Sequence, residues 1–135
     1  MITINQIYSN VESHLNRLYR PLYVSSKLEP LPPEFPSVQI TEINHYQIRG
    51  AIPLSFTQKN DLSIRRDIEA HVFSNLVNEA LTEARDIMTE VEEVFREMGF
   101  IETYCGQTNN IDPSVVHLVG RFTRDFGYAD PLTSE

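Results

Sequence analysis

Hydrophobic residues recur every three to four positions in two parts of the chain, which is the spacing of one face of an α-helix. In the first part, Ile4 to Tyr19, polar residues fill the opposite side, and Pro21 follows where the helix should end. The second part carries a continuous apolar stripe, formed by Leu81, Ala84, Ile87, Met88, Val91, Val94, Phe95 and Met98. Asn78 precedes this stripe as an N-cap candidate, and Gly99 follows it as a left-handed C-terminal cap. The pattern therefore predicts two amphipathic helices.

Alternation of apolar and polar residues predicts the strands. It is found in SVQITEIN, in residues 66–74 and in VVHLVGRFTRDF. Leu22–Val24 and FIETYC are also predicted strands, and a polar turn separates FIETYC from VVHLVGRFTRDF. In the last strand two sets of side chains should face opposite ways: Val116, Leu118, Gly120 and Phe122 against His117, Val119, Arg121 and Thr123. The order of elements predicts an α+β fold in which a small mixed or antiparallel sheet is packed by two helices.

Residues 46–64 keep no sustained period and contain glycine, proline and the polar run TQKND. We predict a long loop or hairpin arm here, which contacts a partner and leaves three apolar side chains to be covered: Ile52, Leu54 and Phe56. The tail, residues 127–135, is rich in turn formers and is expected to stay loose until a neighbour orders it. The chain, residues 1–135, is predicted to be a single domain.

The charge of the chain is acidic and uneven. Eleven basic and nineteen acidic residues give a formal net charge of −8, which argues against a surface that neutralises nucleic-acid phosphates. Most of the excess acid lies between Glu79 and Glu102, whereas four arginines lie in or beside predicted strands: Arg65, Arg66, Arg121 and Arg124. Opposite charges on different copies of the chain are therefore expected to meet, and these arginines are candidate assembly-interface residues.

Targeting signals are not visible in the sequence. The longest apolar runs are far shorter than the roughly 20 residues of a membrane-spanning helix, and the start MITINQIYSN lacks the pattern of a signal peptide. We expect a protein that is made and kept in the cytosol and does not contact a membrane.

Four glutamates on the second helix are the natural candidates for acid/base or metal chemistry: Glu90, Glu92, Glu93 and Glu97. Glu90, Glu93 and Glu97 are three and four residues apart and share one helical face. That face lies opposite much of the apolar stripe, and no histidine stands at metal-ligand spacing, so we expect a solvated acidic face.

The histidines and the single cysteine give no stronger indication of chemistry. His71 and His117 are expected to be neighbours across the sheet, as a packed or hydrogen-bonded pair rather than as metal ligands. Cys105 has no second thiol for a disulfide or redox pair, and it is expected to be half-buried and structural. The sequence also lacks a glycine-rich phosphate loop and a serine nucleophile motif. We therefore predict no enzyme, no catalytic residues, no metal and no cofactor.

Four stretches resemble the small tail completion, or tail terminator, proteins of long-tailed bacteriophages: LYVSSKLEPLPPEFPSVQITEIN, IEAHVFSN, ARDIMTEVEEVFREMGFIETYC and VVHLVGRFTRDFG. The motifs that carry the resemblance are a PPxFP passage at Pro32–Pro36, a strand end at Val72–Asn75, the pair Gly99–Phe100 and GRF at Gly120–Phe122. The likeness runs over nearly the whole chain. The chain departs from the family in its second helix, which is acidic here and often more basic in the family.

The resemblance implies a structural virion protein in the neck region of the tail, assembled in the host cytoplasm. Similar proteins form a homohexameric ring at the head-proximal end of the tail tube, stop its polymerisation and give the head connector a docking face. The implied partners are other copies of the chain, the tail tube protein and the connector or neck proteins. Genomic DNA would pass through the lumen without specific binding, and Glu90, Glu93 and Glu97 are the candidate lumen face.

Two alternatives remain open from the sequence. One is another ring-forming neck component, such as a head completion or head-tail adaptor protein. The other, which no motif favours, is a small acidic enzyme.

Overall fold

A computed structural model of the chain describes residues 2–19, 21–47, 63–127 and 130–132. Within these ranges the chain forms, in order, α1 (Ile4–Leu18), β1 (Tyr23–Ser25), β2 (Ser37–Gln47), β3 (Ser63–Ser74), α2 (Ala80–Glu97), β4 (Ile101–Thr108) and β5 (Val116–Gly127). The strands form one sheet in the order β1-β2-β3-β5-β4. β1 runs parallel to β2, and the other neighbours are antiparallel. The predicted α+β fold, a mixed sheet packed by two helices, is confirmed.

The two helices pack their apolar stripes against one face of the sheet and form one core with it. From the helices the core takes residues such as Ile7 and Val11 of α1 and Phe95 of α2, and from the sheet it takes Ile68 and Phe122. Gly120 lies where α2 crosses β5, and a Cβ there would stand 3.2 Å from the Met88 sulfur, so the missing side chain allows the close approach. None of the helices in the described ranges is long and apolar enough to cross a membrane.

The end of α2 follows the prediction, but its start does not. Gly99 has a φ of +79° and donates to the Arg96 carbonyl, while the Phe100 N–H bonds to the Phe95 carbonyl at 2.9 Å. This is a Schellman cap, and it sends the chain from α2 into β4. Asn78 is not the N-cap: it takes a left-handed φ of +66°, and α2 begins after Glu79, which makes no side-chain cap bond.

Strands β2 and β3 extend further than their sequence patterns indicated. β2 continues to Gln47 and β3 starts at Ser63, with Gln47 opposite Ile64. Cross-strand pairing therefore takes up both ends of the region that was predicted to be an arm. The rest of that region, residues 48–62, lies outside the described residues, and so do the arm residues Ile52, Leu54 and Phe56.

Part of the predicted loose tail is tied to the fold. Arg124 donates to the Pro131 carbonyl at 2.7 Å and to the Leu132 carbonyl at 2.9 Å, and it also bonds to the Met98 carbonyl at the end of α2. Leu132 packs against the core. Residues 130–132 are thus held by a guanidinium group that also closes the C-terminus of α2.

Candidate assembly surface

β4 is the long outer edge of the sheet. It pairs with β5 on one side and with no described strand on the other, whereas the opposite edge is the three-residue β1. All residues of β4 except Gly106 are exposed, and Ile101 and Tyr104 are 69% and 46% exposed. Unpaired backbone groups along an exposed edge can accept a strand from another chain.

The protection that natural edge strands usually carry is confined to one end of β4. Proteins block their sheet edges with lysine, proline, inward charges or bulges. β4 contains no lysine, arginine or proline, and its single charge, Glu102, lies at an irregularity in the pairing between Glu102 and Tyr104. From Tyr104 to Thr108 the edge is uncharged and in regular register.

A groove of about 310 Å³ runs between β4 and α2. Met88 and Leu118, both nearly buried, lie at its apolar floor. Its rim is polar and includes Arg85, Glu92, Cys105 and Gln107. A strand added to β4 would therefore also find a cleft for its side chains.

At this rim a carboxylate pair lies beside the thiol. Ligand atoms of Glu92, Glu102 and Cys105 all lie within 4.8 Å of one another. Burial and the neighbouring Glu92 carboxylate raise the pKa of Glu102 to about 7, against a weaker opposing effect of Arg96. Desolvation and the two carboxylates also raise the pKa of the Cys105 thiol, which disfavours a reactive thiolate.

The exposure of Cys105 differs from the prediction. The residue is exposed rather than half-buried, because β4 lies at the edge of the sheet. The Glu92 and Glu102 pair was not predicted either. It forms because the Gly99 turn folds β4 back along α2, so that residues ten positions apart meet.

A polar network crosses the sheet face opposite the helices. The Glu69 carboxylate binds His71 Nε2 at 2.6 Å with one oxygen and Arg121 Nε at 2.8 Å with the other. His71 Nδ1 lies 2.7 Å from His117 Nε2, and the His117 ring stacks on Phe73 at 4.1 Å. The predicted histidine pair is thus confirmed as a hydrogen-bonded pair. Burial of the His117 ring lowers the pKa of His117 to about 4. The neighbouring His71 lowers this pKa further, and the Glu69 carboxylate opposes the shift.

The four arginines predicted for an assembly interface all have partners within the chain. Arg65 makes two bonds to Asp125, of 2.6 and 3.0 Å. Arg121 pairs with Glu69 and also lies over the Tyr104 ring, 5.3 Å from its centroid.

The other two arginines act inside the fold. Arg66 is buried between the Glu42 carboxylate and the Ile2 carbonyl, and it ties the N-terminus to the sheet. Arg124 binds the three carbonyls described above. Of the four, Arg65 and Arg121 are the two with substantially exposed side chains, and an intermolecular role for any of them stays a prediction.

The acidic face of α2 is not uniformly solvated. Glu97 is exposed, and Glu93 is exposed and paired with Arg96. Glu90 is half-buried, and its carboxylate lies 3.4 Å from His14 Nε2, because α1 packs alongside α2 at this point. The helical spacing placed the three residues on one face, but the position of α1 along that face was not visible in the sequence.

No protein-family model matches the chain, and a comparison with curated proteins gives no significant match. The functional interpretation therefore depends on the resemblance of the motifs and on the geometry of the β4 edge.

Proposed function

We propose that this protein is a structural virion protein that forms a ring at the head-proximal end of a phage tail tube. The ring ends tube polymerisation and provides the docking face for the head connector. The observation that carries the proposal is the β4 edge, an eight-residue strand that pairs with β5 on one side, with no described strand on the other, and that lies beside a groove. A head-to-tail contact that uses different surfaces on each copy produces a closed ring when the rotation between copies permits it.

The exposed apolar residues support an assembling subunit. Ile101 and Tyr104 lie on β4 and are exposed. Apolar side chains at a sheet edge are an aggregation hazard for a monomer, and burial in a subunit contact removes that hazard. The excess acid on α2 is consistent with a lumen lined by this helix, through which DNA passes without adsorbing.

Negative-stain microscopy of the purified chain tests the ring, and the length of tail tubes assembled with and without the chain tests termination. We expect closed rings and tubes that stop growing. Failure to form rings, either alone or on tube ends, would contradict the proposal. Association with DNA-filled heads instead of headless tubes would favour the other neck components.

Substitution at the edge tests whether β4 forms the contact. Ile101→Lys places a charge on the exposed edge and should reduce ring yield while leaving the midpoint of thermal unfolding nearly unchanged. Val77→Lys is the matched control, because Val77 is also apolar and, at 78%, more exposed than Ile101, but lies in the turn between β3 and α2, away from the edge. Rings that form equally well with both variants would exclude β4 from the interface.

A further inference from the structure

The outer edge of β4 and the groove lie next to each other, which is the arrangement that binding of one extended segment requires. Backbone groups of a pairing strand would bond to the edge, and alternate side chains of that strand would reach the groove, where Met88 and Leu118 form the floor. Recognition of this kind takes its affinity from the main chain and its specificity from the groove.

Among the described residues, the groove rim carries one basic side chain, Arg85, and lies beside an acidic pair. Glu92 and Glu102 lie side by side, and the nearby Arg96 is bonded to Glu93. A lysine or arginine carried by the bound segment would complete this arrangement, because an opposite charge within a few ångströms favours ionisation of both carboxylates. The complementary segment is therefore apolar at alternate positions and basic at an end.

One part of the chain itself has this composition. Residues 48–62 read IRGAIPLSFTQKNDL, in which Ile52, Leu54 and Phe56 alternate with other residues between Arg49 and Lys59. Arg49, Lys59 and Asp61 give the segment a formal charge of +1. Because the whole chain has a formal charge of −8, the residues outside the segment sum to −9. It is a locally basic, apolar segment in an acidic protein.

This segment has both of its flanking residues fixed by the sheet. It joins Gln47 to Ser63, and the register β2 to β3 to β5 to β4 places that junction toward the same end of the sheet as Ile101. Any chain of fifteen residues with both ends fixed on neighbouring strands can extend at most about 25 Å from those ends, at about 3.3 Å per residue.

We infer that the β4 edge and its groove bind residues 49–59 of a second copy of the chain. This inference rests on the proposed function, since the contact would be the one between neighbours in the ring. Each copy would give one segment and receive one, which is the head-to-tail geometry that a ring needs.

Disulfide trapping tests the contact directly, because Cys105 is the single cysteine and lies at the groove rim. Ser55→Cys in the full chain should give, on mild oxidation, a ladder of covalent multimers in non-reducing electrophoresis. The wild type can give dimers at most. Ser13→Cys, at an exposed position on α1, is the control and should not give the ladder. A fast-migrating monomer with an internal disulfide, or equal ladders in both variants, would overturn the inference.

Charge reversal tests the rim. Glu92→Lys should weaken association about tenfold, as should Arg49→Glu or Lys59→Glu, in sedimentation velocity experiments. Combining Glu92→Lys with one of the two arm variants should restore association. Restoration by neither combination would count against the proposed docking.

The two proposals fail in distinguishable ways. Rings that persist in microscopy without a disulfide ladder would refute the docking and leave the ring standing. A ladder from a protein that does not stop tube growth would support the docking and refute the tail-terminator function.

Discussion

The two faces of the sheet are held by different forces, although they are built from the same strands. On the helix face, Phe122 stacks on Phe95 at 4.3 Å, and Phe100 meets Phe126 edge-on at 5.7 Å. On the opposite face, which we call the outer face, β3 and β5 are joined by directly opposed polar pairs: Arg65 with Asp125, Asp67 with Thr123 and Glu69 with Arg121.

Each face makes a different contribution to the fold. Apolar burial is non-directional and scales with area, so the helix face supplies most of the stability. Cross-strand pairs depend on which residues stand opposite one another, so the outer face specifies register. A slip of β5 by one residue would turn all of its outer polar residues toward the helices.

We expect the greatest loss in the free energy of unfolding when a core aromatic side chain is removed from the helix face. Phe122→Ala deletes a ring that is 2% exposed and stacked on Phe95, and it should lower the free energy of unfolding by about 3–5 kcal/mol. Its neighbour on the other face gives the matched control: Thr123→Ala loses one hydrogen bond, to Asp67, and should cost about 1 kcal/mol. Urea unfolding of both variants measures the difference, and equal losses would contradict the assignment of stability to the helix face.

Acid should act on the outer face. The pKa of His117 is about 4 in the fold and about 6.5 in an unfolded chain, so the unfolded state binds more protons between these values. The contribution of neutral His117 to the free energy of unfolding is therefore complete above pH 6.5 and is lost as the pH falls toward 4. After allowing for the partial exposure of the ring, we expect a loss of about 1–2 kcal/mol. Urea unfolding at pH 7 and pH 5 measures the loss, and His117→Gln should make it smaller.

Ring-proton NMR supplies an independent check on the same residue. The His117 resonances should not titrate above about pH 5. A midpoint near 6.5 would show that the histidine pair is solvated and that the outer face is not acid-sensitive at this point.

The sequence was sufficient for the features that depend on local periodicity. The apolar stripe of α2, the left-handed Gly99 and the alternation along β5 each follow from neighbours within a few residues, and all three are confirmed. The pairing of His71 with His117 was also predicted, although the two are diagonal neighbours rather than directly opposed, since His117 lies opposite Phe73 near the start of β5.

Features that depend on long-range pairing were not accessible in the same way. Nothing local shows that β4 is an edge strand, because strand order is decided by β5 inserting between β3 and β4. That order exposes Cys105, and the packing of α1 half-buries Glu90. The intrachain carboxylate partners of Arg65 and Arg121 were likewise not visible in the sequence, because the sheet register supplies them.

The exposed ion pair between Arg65 and Asp125 tests the register of β3 against β5. Arg65 and Asp125 are each about half exposed, so their ion pair should contribute only about 0.5 kcal/mol, and Arg65→Asp alone should cost slightly more because it places two like charges opposite each other. The double variant Arg65→Asp with Asp125→Arg should recover most of the loss in a double-mutant cycle. Repeating the cycle with Arg65→Asp and Thr123→Arg, two residues out of register on the same face, should recover much less. Equal recovery from both positions would mean that long-range charge, rather than direct opposition across β3 and β5, accounts for the coupling, and the outer face would then lose its role in specifying register.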